Sequence, residues 1–232
     1  MIKIKTINYG LGALIILSFA LPVQSQTPEV TLTWSTDTYI PLDYPGKALP
    51  VEGSNVEIIA NINSSLNSQE LIYDWSVNTI DQKDKSGRGK QSLLINIPKN
   101  SNNLMVKTRV SDKNGKFLGN SSYLTIPVRR PEAVIKPGGA LLNSAYQISA
   151  GQEEEFTVES YFFNINSLDQ LDYFWKLGRQ EALPNNTDRP NSFILKINPL
   201  AQPITQDLIV EIENKNIIFQ KAQTKIKINI TP

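Results

Sequence analysis

Glu153-Glu154-Glu155 is the densest group of carboxylates in the chain, and paired carboxylates are the residues that hydrolyse glycosides. Successive side chains of a strand point to opposite faces. Three consecutive acids therefore cannot converge on one bond, and here they lead into the apolar Phe156 of a strand; they read as solvated positions at its start. Asp81 to Lys90 combines Asp81 and Asp84 with Lys85-Ser-Gly-Arg-Gly-Lys90. Its glycines suggest a phosphate cradle, but P-loop spacing is missing, and Leu93-Leu94-Ile95 predicts a strand where a helix would be needed. The segment reads as a mobile, protease-sensitive loop. Asp112 and Asn114, with Asp37, Asp43 and Asp169, carry the oxygens a calcium ion would use. Calcium takes about six to eight converging oxygens, and no Asp-x-Asp-x-Asp pattern occurs. Asp112 is explained by turn chemistry, since Asp and Asn bond their own following backbone.

The chain contains no histidine and no cysteine. That removes the usual general base near neutral pH, thiol nucleophiles and ordinary zinc ligands. A Ser-His-Asp triad is impossible, which leaves only Ser-Lys or carboxylate chemistry from residues distant in sequence. The expectation is a non-enzymatic protein without a cofactor or metal site. Without cysteine it has no disulfides, so stability must come from burial.

Residues 1–25 read as an export signal: Lys3 and Lys5, an apolar core from Gly10 to Leu21, then Pro22, with Val23 and Ser25 placed for cleavage before Gln26. The alternative is an uncleaved anchor, although a spanning helix needs about 20 apolar residues. Of 23 basic and 22 acidic residues, Lys3 and Lys5 belong to this segment, so the remainder is near neutral. Near-neutrality disfavours a nucleic-acid partner, which requires a basic stripe. It leaves a membrane contact only through the N-terminal segment, if that stays uncleaved. The expected location is the periplasm, the cell surface or the extracellular space. The Ile, Lys and Asn bias looks bacterial.

Laid against itself, the chain repeats. Leu71-Ile-Tyr73-Asp-Trp75-Ser-Val77 returns as Leu171-Asp-Tyr173-Phe-Trp175-Lys-Leu177, 100 positions on. Ser92 to Pro98 matches Ser192 to Pro199, Leu104-Met-Val106 matches Leu208-Ile-Val210, and Gly53 matches Gly151. So long a period makes each copy a domain with its own core, with boundaries at 26–129 and 130–232 and a short linker around Arg129-Arg130-Pro131. Short alternating runs such as Val56-Glu-Ile58-Ile-Ala60 and Thr224-Lys-Ile226-Lys-Ile228-Asn-Ile230 predict strands, separated by turn signals such as Asn114-Gly115. The fold class is all-β, two tandem β-sandwich domains after an N-terminal signal helix.

The Tyr-x-Trp strand resembles the third strand of bacterial immunoglobulin-like domains, in particular the PKD-like group, in which the Trp packs between two sheets. Residues 106–128 resemble that group's last hairpin, with a strand ending in Val110-Ser111-Asp112, a turn at Asn114-Gly115 and a return through Tyr123-Leu-Thr-Ile126. The Gly-Asp-Gly that follows the Trp in PKD domains is absent, Val77-Asn-Thr and Leu177-Gly-Arg standing in its place, so the broader immunoglobulin-like class is the better description. The resemblance implies a structural spacer, an adhesion unit or an interaction module. The implied partners are envelope or surface proteins, within an assembly such as a pilus or secretion apparatus as one alternative.

Tyr73 and Trp75 lie two apart on one strand, as do Tyr173 and Trp175, so each pair shares a face. With Trp inward, all four are core residues. Trp34, Tyr39 and Tyr44 lie in a stretch, residues 34–50, without a counterpart in the second copy. Its Pro41, Pro45, Gly46 and Pro50 read as an extended loop. These three aromatics are the candidate ligand or partner surface, with a glycan as the alternative ligand; otherwise they plug one end of the first sandwich.

Overall fold

The computed structural model describes residues 28–63, 65–138, 145–182 and 188–232. The export signal lies outside the described residues. Everything described is strand, turn or loop, apart from two single 3-10 turns.

The first sandwich contains β1 (Glu29–Thr36), β2 (Asn55–Asn63), β3 (Ile72–Val77), β4 (Ile80–Asp81), β5 (Gly87–Arg88), β6 (Ser92–Asn96), β7 (Asn103–Ser111) and β8 (Ser122–Pro127). One sheet runs β1-β2-β6 and the other β4-β3-β7-β8, with the short β5 also on β3. Alternation dictates which faces meet. Val56, Ile58 and Ala60 point inward from β2, and Leu104, Val106 and Val110 from β7, while Glu57, Lys107 and Arg109 take the other side.

The second sandwich contains β9 (Glu132–Pro137), β10 (Tyr146–Ser149), β11 (Glu153–Tyr161), β12 (Leu171–Leu177), β13 (Gln180–Ala182), β14 (Ser192–Lys196), β15 (Ile204–Asn214) and β16 (Lys221–Thr231). Its sheets run β9-β11-β14 and β10-β16-β15-β12-β13. Every pairing between strands is antiparallel except β10 on β16. The first sandwich repeats that parallel contact as a single bridge, Val51 to Arg129.

Each sandwich has its own apolar cluster, one around Trp75 and one around Trp175. Both indoles are 1% exposed, and a buried indole N–H needs an acceptor. Each finds one fifteen residues on: Trp75 Nε1 donates to Lys90 O (2.8 Å) and Trp175 Nε1 to Pro190 O (3.1 Å). Tyr73 and Tyr173 lie inward beside them, donating to Ser68 O (3.2 Å) and meeting Ser160 Oγ (3.4 Å) respectively.

The repeat extends to backbone bonds. Gly53 N–H donates to Ile97 O (3.0 Å) and Gly151 N–H to Ile197 O (2.9 Å), both glycines at φ +82°. That conformation is why glycine recurs there.

The Asp81–Lys90 segment differs from its sequence reading. Trp75 N–H donates to Ser86 Oγ (2.9 Å), Gly89 N–H to Leu71 O (2.8 Å) and Lys85 Nζ to Leu94 O (2.8 Å). Together with the Trp75 indole bond, these pin it as an ordered flap over the first core.

Candidate functional site

Trp34 belongs to β1 rather than to a loop; the loop proper begins at Asp37 and runs to Pro50. The half-buried Trp34 ring packs on the first core, and Lys47 Nζ sits 3.5 Å from its centre while donating to Trp34 O (2.5 Å). Burial lowers the Lys47 pKa.

Tyr39 and Tyr44 instead reach the second sandwich. Tyr39 N–H donates to Phe163 O and Phe162 N–H donates to Tyr39 O, each 2.7 Å, so the loop adds a two-bond ladder to the far domain. The Tyr39 ring packs against the second core. Tyr44 meets Tyr161 (5.4 Å) and Phe162 (5.8 Å) edge to face. Thus Trp34 stays with one core and Tyr39 with the other, and the three rings do not form one platform.

A second contact lies at the Glu52-Gly53 turn. Gln220, 1% exposed, donates from Nε2 to Glu52 O (2.8 Å) and accepts at Oε1 from Asn164 N–H (2.9 Å) and Asn214 Nδ2 (3.0 Å). Asn164 Nδ2 donates to Gly53 O (3.2 Å). A side chain at Gly53 would put its Cβ 3.1 Å from the Phe219 ring.

Charge reinforces the junction. Lys136 bonds Glu159 at 2.5 Å and lies 3.7 Å from Asp43 of the loop. The Glu159 hydrogen bond is the main reason the Lys136 pKa is raised. Tyr161 donates to the same carboxylate. Burial first, then Glu159, holds the Tyr161 phenol well above its ordinary value; burial, then Glu159 and Asp43, raises Tyr39. Phe162 is held at φ +62°, a conformation that costs a bulky residue about 1–3 kcal/mol and that the Tyr39 bonds and Tyr44 ring surround. The legible signal for this contact was Tyr161-Phe162-Phe163. Consecutive strand side chains alternate faces, so three aromatics in a row cannot all enter one core. Gln220 and Asn164 carried no such signal.

The outer faces of the two larger sheets differ. On the first, Arg109 lies 3.8 Å from Asp74 and over Phe117 (5.1 Å), and Lys107 lies over Tyr123 (5.4 Å). Met105, Phe117 and Tyr123 are about half exposed or more. Asp74, Asp81, Lys83, Lys107 and Arg109 line a cleft of about 300 Å³ there. Ser86 on its wall is committed, accepting from Trp75 N–H and donating to Gln82 O (2.8 Å), so it is not poised as a nucleophile. On the second sandwich the same face is a lattice of pairs: Lys176–Glu211 (3.1 Å), Lys221–Glu213 (2.6 Å) and Lys225–Asp207 (3.3 Å).

Glu153 faces Lys196 (4.0 Å), and Glu155 faces Arg189 (3.0 Å) and Ser192. Asp112 Oδ1 accepts from Asn114 N–H (2.8 Å) and Lys116 N–H (2.9 Å), a side-chain-closed turn. Asp37 accepts from Asn55 N–H (2.8 Å). Among the described residues no group of three or more acids is gathered as a metal site, and no helix is long and apolar enough to cross a membrane.

No protein-family model matches the chain, and no curated protein matches it in sequence. Solved structures similar to it include the Clostridium thermocellum CbhA fibronectin(III)-like modules, with 10% identity, 86% of this chain and 93% of that one covered, and TM-score 0.30. Murine CEACAM1b gives 13%, 87% and 100% at 0.32. The ICAM-5 D1–D4 ectodomain fragment gives 12%, 85% and 53% at 0.29. At these scores the likenesses carry no argument, and the assignment rests on strand order and on the two cores: the chain folds as immunoglobulin-like β-sandwiches.

Proposed function

We propose that this chain is an exported, non-catalytic spacer of the cell envelope that holds two immunoglobulin-like sandwiches at a set angle and offers the first of them to protein partners. The observation that carries the reading is the junction. A linker alone would permit swivelling, the default for domains joined by a short segment. Here two separate contacts grip the second domain: the Tyr39–Tyr44 loop holds Phe162 and Phe163, and the Glu52-Gly53 turn holds Asn164 and Gln220. Two points of attachment restrain rotation where one would act as a hinge.

A protein partner is favoured over a glycan because the candidate rings of residues 34–50 are engaged within the molecule. Lys47 covers Trp34, and Tyr44 is turned onto Tyr161 and Phe162. The charged and apolar mixture on the first sandwich, Met105, Lys107, Arg109, Phe117 and Tyr123, has the composition of a protein contact surface. Export is supported by the apolar segment ahead of residue 26, with Lys3 and Lys5 before it.

Residual dipolar couplings test the spacer: both domains should fit one alignment tensor. Two tensors of different magnitude would mean free domains and would end the reading. Fractionation of cells making the full chain tests export, and retention of residues 1–25 on cytoplasmic protein would contradict it.

A further inference from the structure

Among the described residues, β8 pairs as a strand along one edge, with β7. Backbone direction identifies the groups left on its other edge. Val128 N–H turns toward Asn102 O (3.0 Å), whereas Arg129 N–H turns away to Pro50 O (2.9 Å). The direction alternates residue by residue along a strand. The N–H and C=O of Tyr123 and Thr125, and the C=O of Pro127, therefore face away from β7. Val51 caps the end of this edge at Arg129, and β1 touches its start through Ser122 and Val30.

Exposed strand edges are normally guarded by charge, by cover or by proline. The other edges of the first sandwich show this: Lys85 Nζ occupies Leu94 O of β6, and Lys47 Nζ occupies Trp34 O of β1. The second sandwich guards the strand corresponding to β8 twice. β16 carries Lys221, Lys225 and Lys227 on its outer face, and β10 pairs with Ile228–Thr231. At the positions matching Gln223, Lys225 and Lys227, β8 presents Tyr123, Thr125 and Pro127, with no charge.

We propose that β8 pairs antiparallel with β8 of a second copy of this chain, joining two five-stranded sheets into one. Thr125 stands on the two-fold axis and exchanges both its backbone bonds with Thr125 of the second copy. Two residues on, Tyr123 meets Pro127 of the other copy: the Tyr123 N–H donates to the proline carbonyl, and the N–H that proline lacks is the only bond forgone at each end. The edge is thus complementary to itself in a register where its one proline does least harm. The outer faces brought together are Tyr123 against Pro127 and Thr125 against Thr125, flanked by the half-exposed Met105, which is opposite Thr125 on β7. Aromatic and β-branched cross-strand pairs of this type favour pairing. The same register on β16 would set Lys225 against Lys225, so only the first sandwich is fitted for it. The inference rests on the strand geometry alone, and its failure would leave the spacer reading standing.

The test is sedimentation of the protein purified after expression of the full chain, followed over a wide concentration range. The expected result is a reversible monomer–dimer equilibrium. Thr125→Pro, which removes the central donor, and Thr125→Lys, which sets two charges face to face, should each weaken it by at least about tenfold without changing the melting temperature. Thr125→Lys retains the N–H and so guards against a folding defect in the proline variant. Lys225→Thr should leave the equilibrium unchanged. A monomer at every concentration would overturn the proposal, as would a dimer indifferent to both Thr125 variants. Binding of an extended peptide along β8 by a chain that never self-associates would give the edge a different occupant and would equally overturn it.

Discussion

Met105, Lys107 and Arg109 of β7 stand where β15 carries Ile209, Glu211 and Glu213, and Tyr123 and Thr125 of β8 stand where β16 carries Gln223 and Lys225. The strands, registers and buried faces correspond, yet the outer surfaces do not. The second domain pairs most of its outer charges across strands, leaving Phe174 as the exposed ring of that face. The first leaves Met105, Phe117 and Tyr123 half exposed or more, beside two cations held over aromatic rings. A duplicated sandwich must keep its inward positions to remain folded, whereas its outward positions are free to diverge. The difference is what the proposed assignment of partner binding to the first domain rests on.

The largest expected effect probes what the two domains share. Trp75→Ala and Trp175→Ala should each cost about 3–5 kcal/mol, the usual penalty for emptying an aromatic site in a core. Urea unfolding followed by residue-resolved NMR should show each change striking its own domain first. A loss under about 1 kcal/mol at either position would break the correspondence of the two cores.

Alkaline pH should separate the domains next. Burial pushes the Tyr173 phenol from its ordinary 10.0 up to about 12. A folded pKa above the unfolded one means that the stabilisation is complete below the unfolded value and is lost as pH rises through the folded one. The second domain should therefore lose about 2–3 kcal/mol between pH 10 and 12 from this group alone. Tyr146 and Tyr161 are raised in the same direction, whereas the first sandwich has Tyr73. Circular dichroism of unfolding across that range checks it, and simultaneous loss of both domains would count against the assignment.

A smaller effect sharpens the role of the loop. Tyr44→Ala removes two edge-to-face contacts worth about 0.5–1.5 kcal/mol each. The domains should then unfold in two separated transitions in calorimetry and align with two tensors, while each core survives. Unchanged coupling would show that the Gln220 and Asn164 contact suffices by itself. The smallest expected effect is on the second domain's outer face. Lys221→Ala should cost no more than about 1 kcal/mol, as exposed ion pairs do, and raised salt should shrink even that. Thermal melts at low and high ionic strength measure it.

The two sandwiches are legible in the sequence because they rest on local rules written twice. Inward–outward alternation marks each strand, and Tyr-x-Trp recurs in the same frame, so spacing puts each Tyr and Trp on one face, while the immunoglobulin-like resemblance supplies that the face is inward. Gly53 and Gly151 recur because one backbone conformation is required at both turns. The anchoring of the Asp81–Lys90 flap is not legible in the sequence, because its anchors are main-chain carbonyls and one serine hydroxyl, and such partners leave no trace in side-chain pattern.

Residues 34–50 stand out in the sequence as a stretch without a counterpart in the second copy, and Trp34, Tyr39 and Tyr44 stand out within it. Composition assigned them an aromatic surface; only the tertiary structure decided what that surface meets. The ladder from Tyr39 to Phe162 and Phe163 joins residues more than a hundred positions apart, and the bond from Gln220 to Glu52 spans 168. Periodicity reports which face of a strand is apolar, because that depends on neighbours two residues away. It holds no information on which loop of one domain will touch which loop of another, since that contact is set by the angle at which two finished sandwiches dock.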